Sequence, residues 1–350
     1  MTFQVEENVP LAPLTTFGVG GRARWFARAT SEADVAEAVN WAAARGVPLF
    51  VLGGGSNLLV ADEGFKGLVL RMEIGGIEAV GGGRFVVGAG VEWDEFVTRV
   101  VSAGFAGVEC MAGIPGSVGG TPVQNVGAYG QEVAEVIDAV RVFDREKLIF
   151  VWLDNKDCGF RYRESRFNID EPGRFVVTSV RFQLKQGGAP NLKYADLRKR
   201  FGLDVNPEAA KPSLQEVAVA VREIRASKGM LHSPNDADSR SAGSFFKNPI
   251  VSDSLVGSIA QAASVATENV PRWPAGAGLV KLPAAWLLER AGFVKGFGSG
   301  RVGVSTKHTL ALVNRGEASF ADVEQMQAEI VAKVEALFGV RLVREPVKLG

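Results

Sequence analysis

The chain has 350 residues, 47% of them hydrophobic, so it can build large cores in two or three domains. Its 39 basic and 39 acidic residues balance, which argues against bulk nucleic-acid binding but allows a local basic pocket for a phosphorylated small molecule. Two cysteines (Cys110, Cys158) and two distant histidines (His232, His308) support neither a disulfide framework, a metal centre nor a Ser-His-Asp triad. The sequence shows no signal peptide and no apolar run near about 18 residues, so we expect a cytoplasmic protein without a membrane segment.

The first half of the chain mixes predicted strands with two predicted helices. Ser31 can cap a helix that runs to about Arg45, and the apolar spacing from Trp93 predicts a helix that ends at Gly104. The predicted strands are Arg22–Arg28, Pro48–Leu52, Leu58–Val60, Gly67–Arg71, Phe85–Val91, Val140–Phe143, Leu148–Leu153 and Phe175–Leu184. This pattern predicts an α+β region dominated by antiparallel strands.

Three glycines follow one of these short strands. They are Gly53, Gly54 and Gly55, and they lead into Ser56 and Asn57. A strand followed by glycines and small polar residues resembles a phosphate loop, but the terminal GK[ST] is missing and a strand follows where a helix should begin. A nucleotide-triphosphate loop is therefore excluded, and a plain hairpin turn is the alternative to a ligand loop.

The stretch Gly113–Gly130 reads GIPGSVGGTPVQNVGAYG and contains no charged residue. So many glycines do not suit a core strand, and the apolar residues between them do not suit a flexible linker. Glycine lets backbone N–H groups approach a phosphate or a ring without a Cβ in the way. We expect an ordered ligand loop that acts with the Gly53–Asn57 loop on a dinucleotide, the alternative being a cluster of tight turns.

The second half of the chain is richer in predicted helices. Ser213 and Glu216 form a capping box for one helix, Pro283 to Gly292 bound a second, and Ser319 caps a long last helix. The apolar face expected for the last helix comprises Val323, Met326, Ile330, Val334 and Leu337. Arg341–Leu349 is predicted to be a closing strand.

A GxGxxG match at Gly298–Gly303 lacks the context of a dinucleotide site. Residues 304–313 after it read as a strand, so no helix N-terminus would face a pyrophosphate. We do not expect a Rossmann site there.

Four segments together carry a family resemblance. They are VLGGGSNLLV (Val51–Val60), the Gly113–Gly130 stretch, FRYRESRF (Phe160–Phe167) and AGSFFKNP (Ala242–Pro249). In order, spacing and total length they resemble the UDP-N-acetylenolpyruvoylglucosamine reductase family, and LKYADL (Leu192–Leu197) is similar to the tyrosine loop of its type I branch. AGSFFKNP and the glycine-rich stretch are specific in combination, whereas VLGGGSN alone is shared with many flavin oxidases.

The resemblance implies an α+β fold with an FAD-binding domain of the vanillyl-alcohol-oxidase/PCMH type and a smaller α+β substrate-binding domain. The FAD-binding subdomains would be 1–72 and 73–210, with a strand at about 340–350 returning to them, and 211–339 would bind substrate. It further implies an enzyme with non-covalent FAD that takes electrons from NADPH and reduces an enolpyruvyl UDP-sugar in bacterial peptidoglycan precursor synthesis. The partners would be small molecules only, and we expect a monomer.

The resemblance also implies three catalytic residues. Arg163 matches the position that grips the substrate carboxylate, where negative charge develops, and Ser244 matches the proton donor. Glu345 matches the carboxyl group that polarises the site. Pro346 departs from the β-branched residue usual after this glutamate, but its restriction of Glu345 to extended geometry is compatible with a strand end. From the residues alone, each of the three could equally be a surface or turn residue.

The binding residues implied by the resemblance fall into two sets. The FAD contacts would be Gly53, Gly54, Gly55, Ser56, Asn57, Gly113, Ile114, Pro115, Gly116, Gly119, Gly120, Gln124, Asn125, Gly127, Ala128 and Tyr129. The substrate contacts would be Tyr194, Arg225, Lys228 and Asn248. Lys228 could instead be a solvated residue at a helix C-terminus.

Two other functions are compatible with the same scaffold. A flavin oxidase is one, but the absence of a histidine before His232 closes the covalent route to FAD that many such oxidases use. A catalytically silent sugar-nucleotide sensor is the other, and the joint presence of Arg163, Ser244 and Glu345 speaks against it.

Overall fold

The computed structural model describes residues 3–206, 211–233 and 235–350. The α-helices in these residues are α1 (Glu32–Ala44), α2 (Trp93–Ser102), α3 (Ala195–Arg200), α4 (Leu214–Ser227), α5 (Val256–Ala262), α6 (Ala284–Arg290) and α7 (Phe320–Phe338). The strands are β1 (Val5–Pro10), β2 (Arg22–Ala29), β3 (Leu49–Leu52), β4 (Leu58–Val60), β5 (Phe65–Met72), β6 (Ile77–Gly81), β7 (Arg84–Gly88), β8 (Phe105–Ala106), β9 (Gly127–Ala128), β10 (Gln131–Glu132), β11 (Ile137–Asp144), β12 (Ile149–Asp154), β13 (Phe175–Gln183), β14 (Lys185–Gln186), β15 (Ile250–Ser252), β16 (Trp273–Pro274), β17 (Leu279–Lys281), β18 (Val302–Val304), β19 (Leu312–Asn314) and β20 (Val347–Leu349).

The chain divides into two compact units, each with its own hydrophobic core. Unit 1 comprises Met1–Val9, Ala23–Gly55 and Phe65–Ser227, and unit 2 comprises Pro10–Arg22, Ser56–Gly64 and Lys228–Gly350. The domain boundary expected after residue 210 falls on residues 207–210, which lie outside the described part of the chain.

The described residues of unit 1 form two larger sheets and two small ones, β9 with β10 and β8 with β14. One of the larger sheets has the order β1-β2-β5-β3, and both β2 and β3 pair with β5 in parallel. The other has the order β12-β11-β13-β7-β6 and is antiparallel throughout. The expectation of a region dominated by antiparallel strands is therefore confirmed for unit 1 as a whole, although the first sheet contains two parallel pairs that the sequence did not predict. A strand's side-chain alternation is the same in both pairings, so the sequence does not encode the direction of its neighbour.

Helix α1 contacts both of the larger sheets of unit 1, through β5 and β11. The side chain of Ser31 accepts from the N–H of Asp34 and the Asp34 carboxylate accepts from the N–H of Ser31, which confirms the predicted cap as a full capping box. The carboxylate of Glu32 accepts hydrogen bonds from Arg141 Nε (3.0 Å) on β11 and from Thr178 Oγ1 (2.9 Å) on β13. The start of α1 is thereby fixed to the five-stranded sheet.

Unit 2 is built around α5, α6 and α7 with three small sheets. The long helix α7 begins at the predicted cap Ser319, and its first N–H groups also donate to the carboxylate of Asp62 (2.7 and 3.0 Å). Leu337 was expected on the buried face but is 43% exposed, and Phe338 is buried in its place. The small sheets are β4 with β20, β15-β17-β16, and β18 with β19.

Two expectations for the C-terminal third need correction. The predicted strand Arg341–Leu349 is reduced to β20, which pairs in parallel with β4. Residues 304–313 are not one strand but lie across the hairpin of β18 and β19. Strand β18 begins inside the GxGxxG match, at Val302, so no helix begins there, as expected. No helix in residues 3–206, 211–233 or 235–350 is both long and apolar enough to span a bilayer.

Candidate active site

The two glycine loops of unit 1 lie against each other. A Cβ on Gly54 would stand 2.6 Å from the Cα of Gly116, and a Cβ on Gly53 would stand 2.6 Å from the Oγ of Ser117. Such distances are far below a carbon–carbon contact, so only glycine permits this approach. The first two glycines are thus required by the packing of one loop on the other, a reason that differs from the close ligand approach inferred from the sequence.

Two features of these loops are not explained by contacts within the protein. The Oγ of Ser117 is buried and has no hydrogen-bond partner among the described residues. A Cβ on Gly120 would meet no atom within 4 Å, and the φ angle of Gly120 is not positive, so the protein itself does not require glycine there. An orphaned buried hydroxyl beside an open glycine fits a bound cofactor that supplies the missing acceptor or donor and fills the space. The residues present therefore fit FAD.

Ser117 lies inside the predicted loop but was not among the predicted cofactor residues. The signal that could have found it is its polarity in a stretch of glycine, proline and apolar residues. Asp94 was also missed, although its carboxylate accepts from the N–H of Gly113 at 2.6 Å and from Arg222 at 2.7 Å. That interaction fixes the start of the glycine-rich stretch to α2 and α4.

Arg163 is held by the glycine-rich stretch. Its Nη1 donates to the carbonyl oxygen of Asn125 at 3.2 Å and its Nη2 to that of Gly127 at 2.6 Å. Both Arg163 (φ 58°) and Asn125 (φ 43°) adopt the left-handed region. For an arginine this backbone costs about 1 kcal/mol and marks a conformation imposed by its surroundings. Unit 1 thus brings the predicted catalytic arginine to the predicted cofactor loop.

The side chain of Asn125 is hydrogen-bonded to three residues outside the glycine-rich stretch. Its Nδ2 donates to Glu132 Oε2 (2.9 Å) and to the carbonyl of Arg161 (3.1 Å), and its Oδ1 accepts from the N–H of Ala134 (3.1 Å). The side chain therefore orients the loop around Arg163. Its assignment as a direct FAD contact stays a prediction.

A two-residue hairpin loop presents Tyr129. Strands β9 and β10 pair through Gln131 opposite Ala128, and Tyr129 (φ 47°) and Gly130 (φ 82°) form the tip. Positive φ at both tip residues is the geometry of a type I′ turn, which usually carries Asn-Gly. The Tyr129 ring contacts that of Tyr194 edge to face, with centroids 5.2 Å apart. Tyr194 caps α3 and is 42% exposed.

Arg225 on α4 is 9% exposed and donates from Nε to the carbonyl of Gly113 at 3.0 Å. Burial lowers its pKa from the usual value, and the nearby Tyr129 and Asp94 act in the opposite direction. The predicted substrate residue Arg225 thus lies beside the glycine-rich stretch of unit 1. The remaining predicted cofactor residues of that stretch are Ile114, Pro115, Gly119, Gln124 and Ala128, and they belong to unit 1 as well.

In unit 2 the segments that carry Ser244 and Glu345 are hydrogen-bonded to each other. The N–H of Glu345 donates to the carbonyl of Phe245 (2.9 Å), and the N–H of Lys247 donates to that of Val343 (2.9 Å). The chain segments that carry these two predicted catalytic residues therefore lie side by side. Pro346 does not disturb this arrangement, because the N–H groups on both sides of it are bonded.

Asn57, in the Ser56–Gly64 segment of unit 2, is hydrogen-bonded to the segment that carries Glu345. Its Nδ2 donates to the carbonyl of Glu345 at 3.4 Å, and its own carbonyl accepts from the N–H of Val347 at 2.9 Å. The hydroxyl of Thr16 donates to the carbonyl oxygens of Ser56 (3.3 Å) and Ser241 (2.7 Å). The predicted cofactor residues Ser56 and Asn57 thus lie next to the segments of Ser244 and Glu345.

The other predicted substrate residues of unit 2 are Lys228 and Asn248. Asn248 accepts through Oδ1 from the N–H of Ala284 (2.9 Å), and its role in substrate binding stays a prediction. Burial, and then the charges of Lys228 and Lys295, lower the pKa of His308 to about 4. Lys228 therefore lies in a positive region of unit 2 that contains a neutral histidine, and such a region suits a diphosphate.

Two family models match the chain. An FAD binding domain covers residues 23–147, and the C-terminal domain of UDP-N-acetylenolpyruvoylglucosamine reductase covers residues 234–349. They confirm the predicted α+β fold with an FAD-binding domain and a second, C-terminal domain.

Relatives and a solved structure match over the full chain. The UDP-N-acetylenolpyruvoylglucosamine reductase of Streptomyces coelicolor is 47% identical over 98% of this chain and 90% of its own, and that of Thermobifida fusca is 45% identical over 100% and 99%. The crystal structure of the corresponding Thermus caldophilus enzyme superposes with a TM-score of 0.68 at 28% identity, covering both chains completely. The chain therefore belongs to the UDP-N-acetylenolpyruvoylglucosamine reductase family.

Proposed function

We infer that the protein is an FAD-dependent oxidoreductase that uses NADPH to reduce UDP-N-acetylenolpyruvoylglucosamine to UDP-N-acetylmuramate, in bacterial peptidoglycan precursor synthesis. The observation that carries this function is the pairing of the Ser244 segment with the Glu345 segment in the C-terminal domain that the family model matches. When bound, FAD supplies hydride transfer: it accepts electrons from NADPH and delivers them to the substrate vinyl carbon.

Arg163 is proposed to hold the substrate carboxylate. Hydride addition to the enol ether leaves negative charge delocalised into that carboxylate, so a cation fixed beforehand at this position lowers the barrier. The hydrogen bonds from Arg163 to Asn125 and Gly127 support this role, because they orient the guanidinium before substrate arrives. An arginine has five N–H donors, so anchoring by two carbonyls is compatible with a grip on the carboxylate.

Ser244 is proposed to deliver the proton to the carbon next to the one that receives hydride. A serine hydroxyl is a weak acid, so a neighbouring group has to assist the transfer. Glu345 is proposed as that group, and the hydrogen bond between Glu345 N–H and Phe245 O supports it by placing the two chain segments side by side. Both residues are half-buried, which leaves them access to a ligand.

Substrate binding is proposed to involve Tyr194, Arg225, Lys228 and Asn248. The exposed Tyr194 is suited to close over a diphosphate, and Lys228 contributes a positive charge to it. FAD is proposed to bind the two glycine loops, with Ser117 as an additional contact. We further propose that the enzyme acts as a monomer in the cytoplasm.

An anaerobic flavin titration tests the function. NADPH should bleach the flavin absorbance, and the enolpyruvyl UDP-sugar added next should restore it with formation of UDP-N-acetylmuramate. Restoration by oxygen but not by the UDP-sugar would indicate a flavin oxidase, and binding of the UDP-sugar without any NADPH oxidation would indicate a sensor. Ser244→Ala should be bleached by NADPH at the normal rate but fail to be reoxidised by the UDP-sugar, and normal turnover would remove Ser244 from the mechanism.

A further inference from the structure

A buried carboxylate in unit 1, that of Glu109, takes no part in the proposed hydride and proton transfers. Glu109 is 0% exposed, and no cationic side chain among the described residues forms an ion pair with it. It accepts three hydrogen bonds instead: from the N–H of Gly107 (2.8 Å), from Nε2 of Gln131 (2.9 Å) and from the N–H of Asn191 (2.9 Å). Burying a carboxyl group is unfavourable unless hydrogen bonds compensate, and these three donors supply that compensation.

The three donors come from three separate parts of the chain. Gly107 belongs to the turn before Glu109, Gln131 begins strand β10 behind the Tyr129 hairpin tip, and Asn191 precedes Tyr194 by three residues. The orientation of Gln131 is fixed, because its Oε1 accepts from the N–H of Cys110 at 2.8 Å and only its Nε2 can reach Glu109. Glu109 thus connects the hairpin to the segment before Tyr194.

Asn191 repeats this connection. Its Nδ2 donates to the carbonyl of Gly130 at the hairpin tip (2.9 Å), its Oδ1 accepts from the N–H of Lys193 (3.1 Å), and its carbonyl accepts from the Cys110 thiol (3.2 Å). The Tyr194 ring packs edge to face on the Tyr129 ring at the hairpin tip. The positions of both rings therefore depend on the hydrogen bonds that converge on Glu109 and Asn191.

We propose that Glu109 is a positioning residue that sets the place of Tyr194 for the UDP-sugar through Asn191 and the Tyr129 hairpin. This role rests on the proposed function of Tyr194 in substrate binding. A carboxylate is required because three N–H donors point at its two oxygen atoms. In a glutamine, one of these oxygens would be replaced by an NH₂ group, which would face an N–H donor without an acceptor. Glu109 is fully buried and offers no surface to a ligand, so its effect should appear in substrate affinity and be transmitted by Tyr194.

A double-mutant cycle tests the proposal. Glu109→Gln should raise the KM for the enolpyruvyl UDP-sugar about tenfold with kcat changed less than twofold, and the rate of flavin bleaching by NADPH should stay normal. In a Tyr194→Ala background the same substitution should change KM less than twofold, since the residue through which it acts is gone. An equal rise in KM in both backgrounds, or no rise in the single variant, overturns the proposal.

Two further variants supply a control and an independent test of the link between Glu109 and Tyr194. Asp144→Asn alters another buried carboxylate of unit 1, which is paired with Arg174 (2.7 Å), and should lower the melting temperature while leaving KM unchanged in both backgrounds. Asn191→Ala keeps the N–H to Glu109 but removes the link to Gly130, so it should reproduce the KM rise and its dependence on Tyr194. If Glu109→Gln does not fold, an unchanged KM in Asn191→Ala overturns the proposal.

For the same four proteins of the double-mutant cycle, the Kd of UDP-N-acetylmuramate is also measured by calorimetry. A wild-type protein that binds this nucleotide sugar without turnover would contradict the proposed function, and the Kd cycle would still decide the role of Glu109. Normal wild-type turnover with an additive cycle would contradict the role of Glu109 alone.

Discussion

The Nη1 of Arg163 donates to the main-chain carbonyl of Asn125 at 3.2 Å, and both residues have left-handed backbone angles. The carbonyl can point at Arg163 only while Asn125 keeps this conformation. Its side chain keeps it there through Glu132, the carbonyl of Arg161 and the N–H of Ala134. The placement of the guanidinium therefore depends on the conformation of Asn125 as well as on the Gly127 carbonyl.

Asn125→Asp should impair catalysis through Arg163. The aspartate would place an acceptor against two acceptors, the Glu132 carboxylate and the Arg161 carbonyl, and would disturb the loop. We expect reoxidation of the reduced flavin by the UDP-sugar to slow about 100-fold, with bleaching by NADPH little changed. Stopped-flow measurement of the two half-reactions separates them. Equal slowing of both would instead indicate damage to the flavin site itself.

Arg163→Lys retains the charge but not the geometry. A lysine ammonium is one point donor on a flexible stem and cannot reach the Asn125 and Gly127 carbonyls as the two-pronged guanidinium does. We expect kcat to fall by about 10²–10³-fold with normal FAD content. A kcat within threefold of the wild type would show that charge alone suffices and that the orientation of the guanidinium is unimportant.

Helix α7 shows what the sequence encodes locally. Its cap at Ser319 and its apolar period lie within one stretch of 20 residues and predict the helix, while the partners of β5 come from β2 and β3, whose direction no local pattern records. The choice between Leu337 and Phe338 as the last buried residue depends on what packs against the helix end. Short-range features were therefore predictable and the parallel pairing was not.

The site divides in the same way. The glycine loops and the motif of Arg163 were predictable from residue types and family resemblance. The reason for Gly54, which is its approach to Gly116, required the fold, as did the orphaned hydroxyl of Ser117. Glu109 lies in the largely apolar stretch VECMA, where no spacing rule marks a carboxylate for function. Only the fold shows its three donors, two of which are distant in the sequence.

The two cysteines should be unreactive in the folded protein. Both are fully buried, and burial raises the pKa of Cys158 to about 12 and that of Cys110 still further. Iodoacetamide at pH 8 should therefore modify neither within hours, whereas protein in guanidinium should take up two equivalents by mass spectrometry. Rapid labelling of the native protein would show that unit 1 opens locally at these positions.

His308 should make stability depend on pH. Its folded pKa of about 4 lies below the usual 6.5, so the unfolded chain binds more protons between these values. Stability is then fully present above pH 6.5 and is lost as pH falls toward 4, by roughly 3 kcal/mol at most. His308→Gln should flatten urea-unfolding free energies between pH 6.5 and 4. An unchanged slope would mean that this histidine is not responsible.

Two glycine substitutions should separate packing from ligand binding. Gly54→Ala places a Cβ 2.6 Å from the Gly116 backbone and should destabilise even the flavin-free protein by about 1–3 kcal/mol. Gly120→Ala meets no protein atom within 4 Å, so the flavin-free protein should keep its unfolding free energy. If FAD occupies the open space, Gly120→Ala should weaken FAD binding at least tenfold in a fluorescence titration.

Gly257→Ala is the matched control for the second substitution. Gly257 also has open space around its Cβ position and a φ that is not positive, but it lies in α5 of unit 2, away from the glycine loops in the sequence. Its replacement should leave FAD affinity unchanged and stabilise the helix slightly, because alanine loses less backbone entropy than glycine. Normal FAD affinity in Gly120→Ala as well would mean that the flavin does not bind beside Gly120. The proposed FAD contact of the neighbouring Ser117 would then be contradicted too.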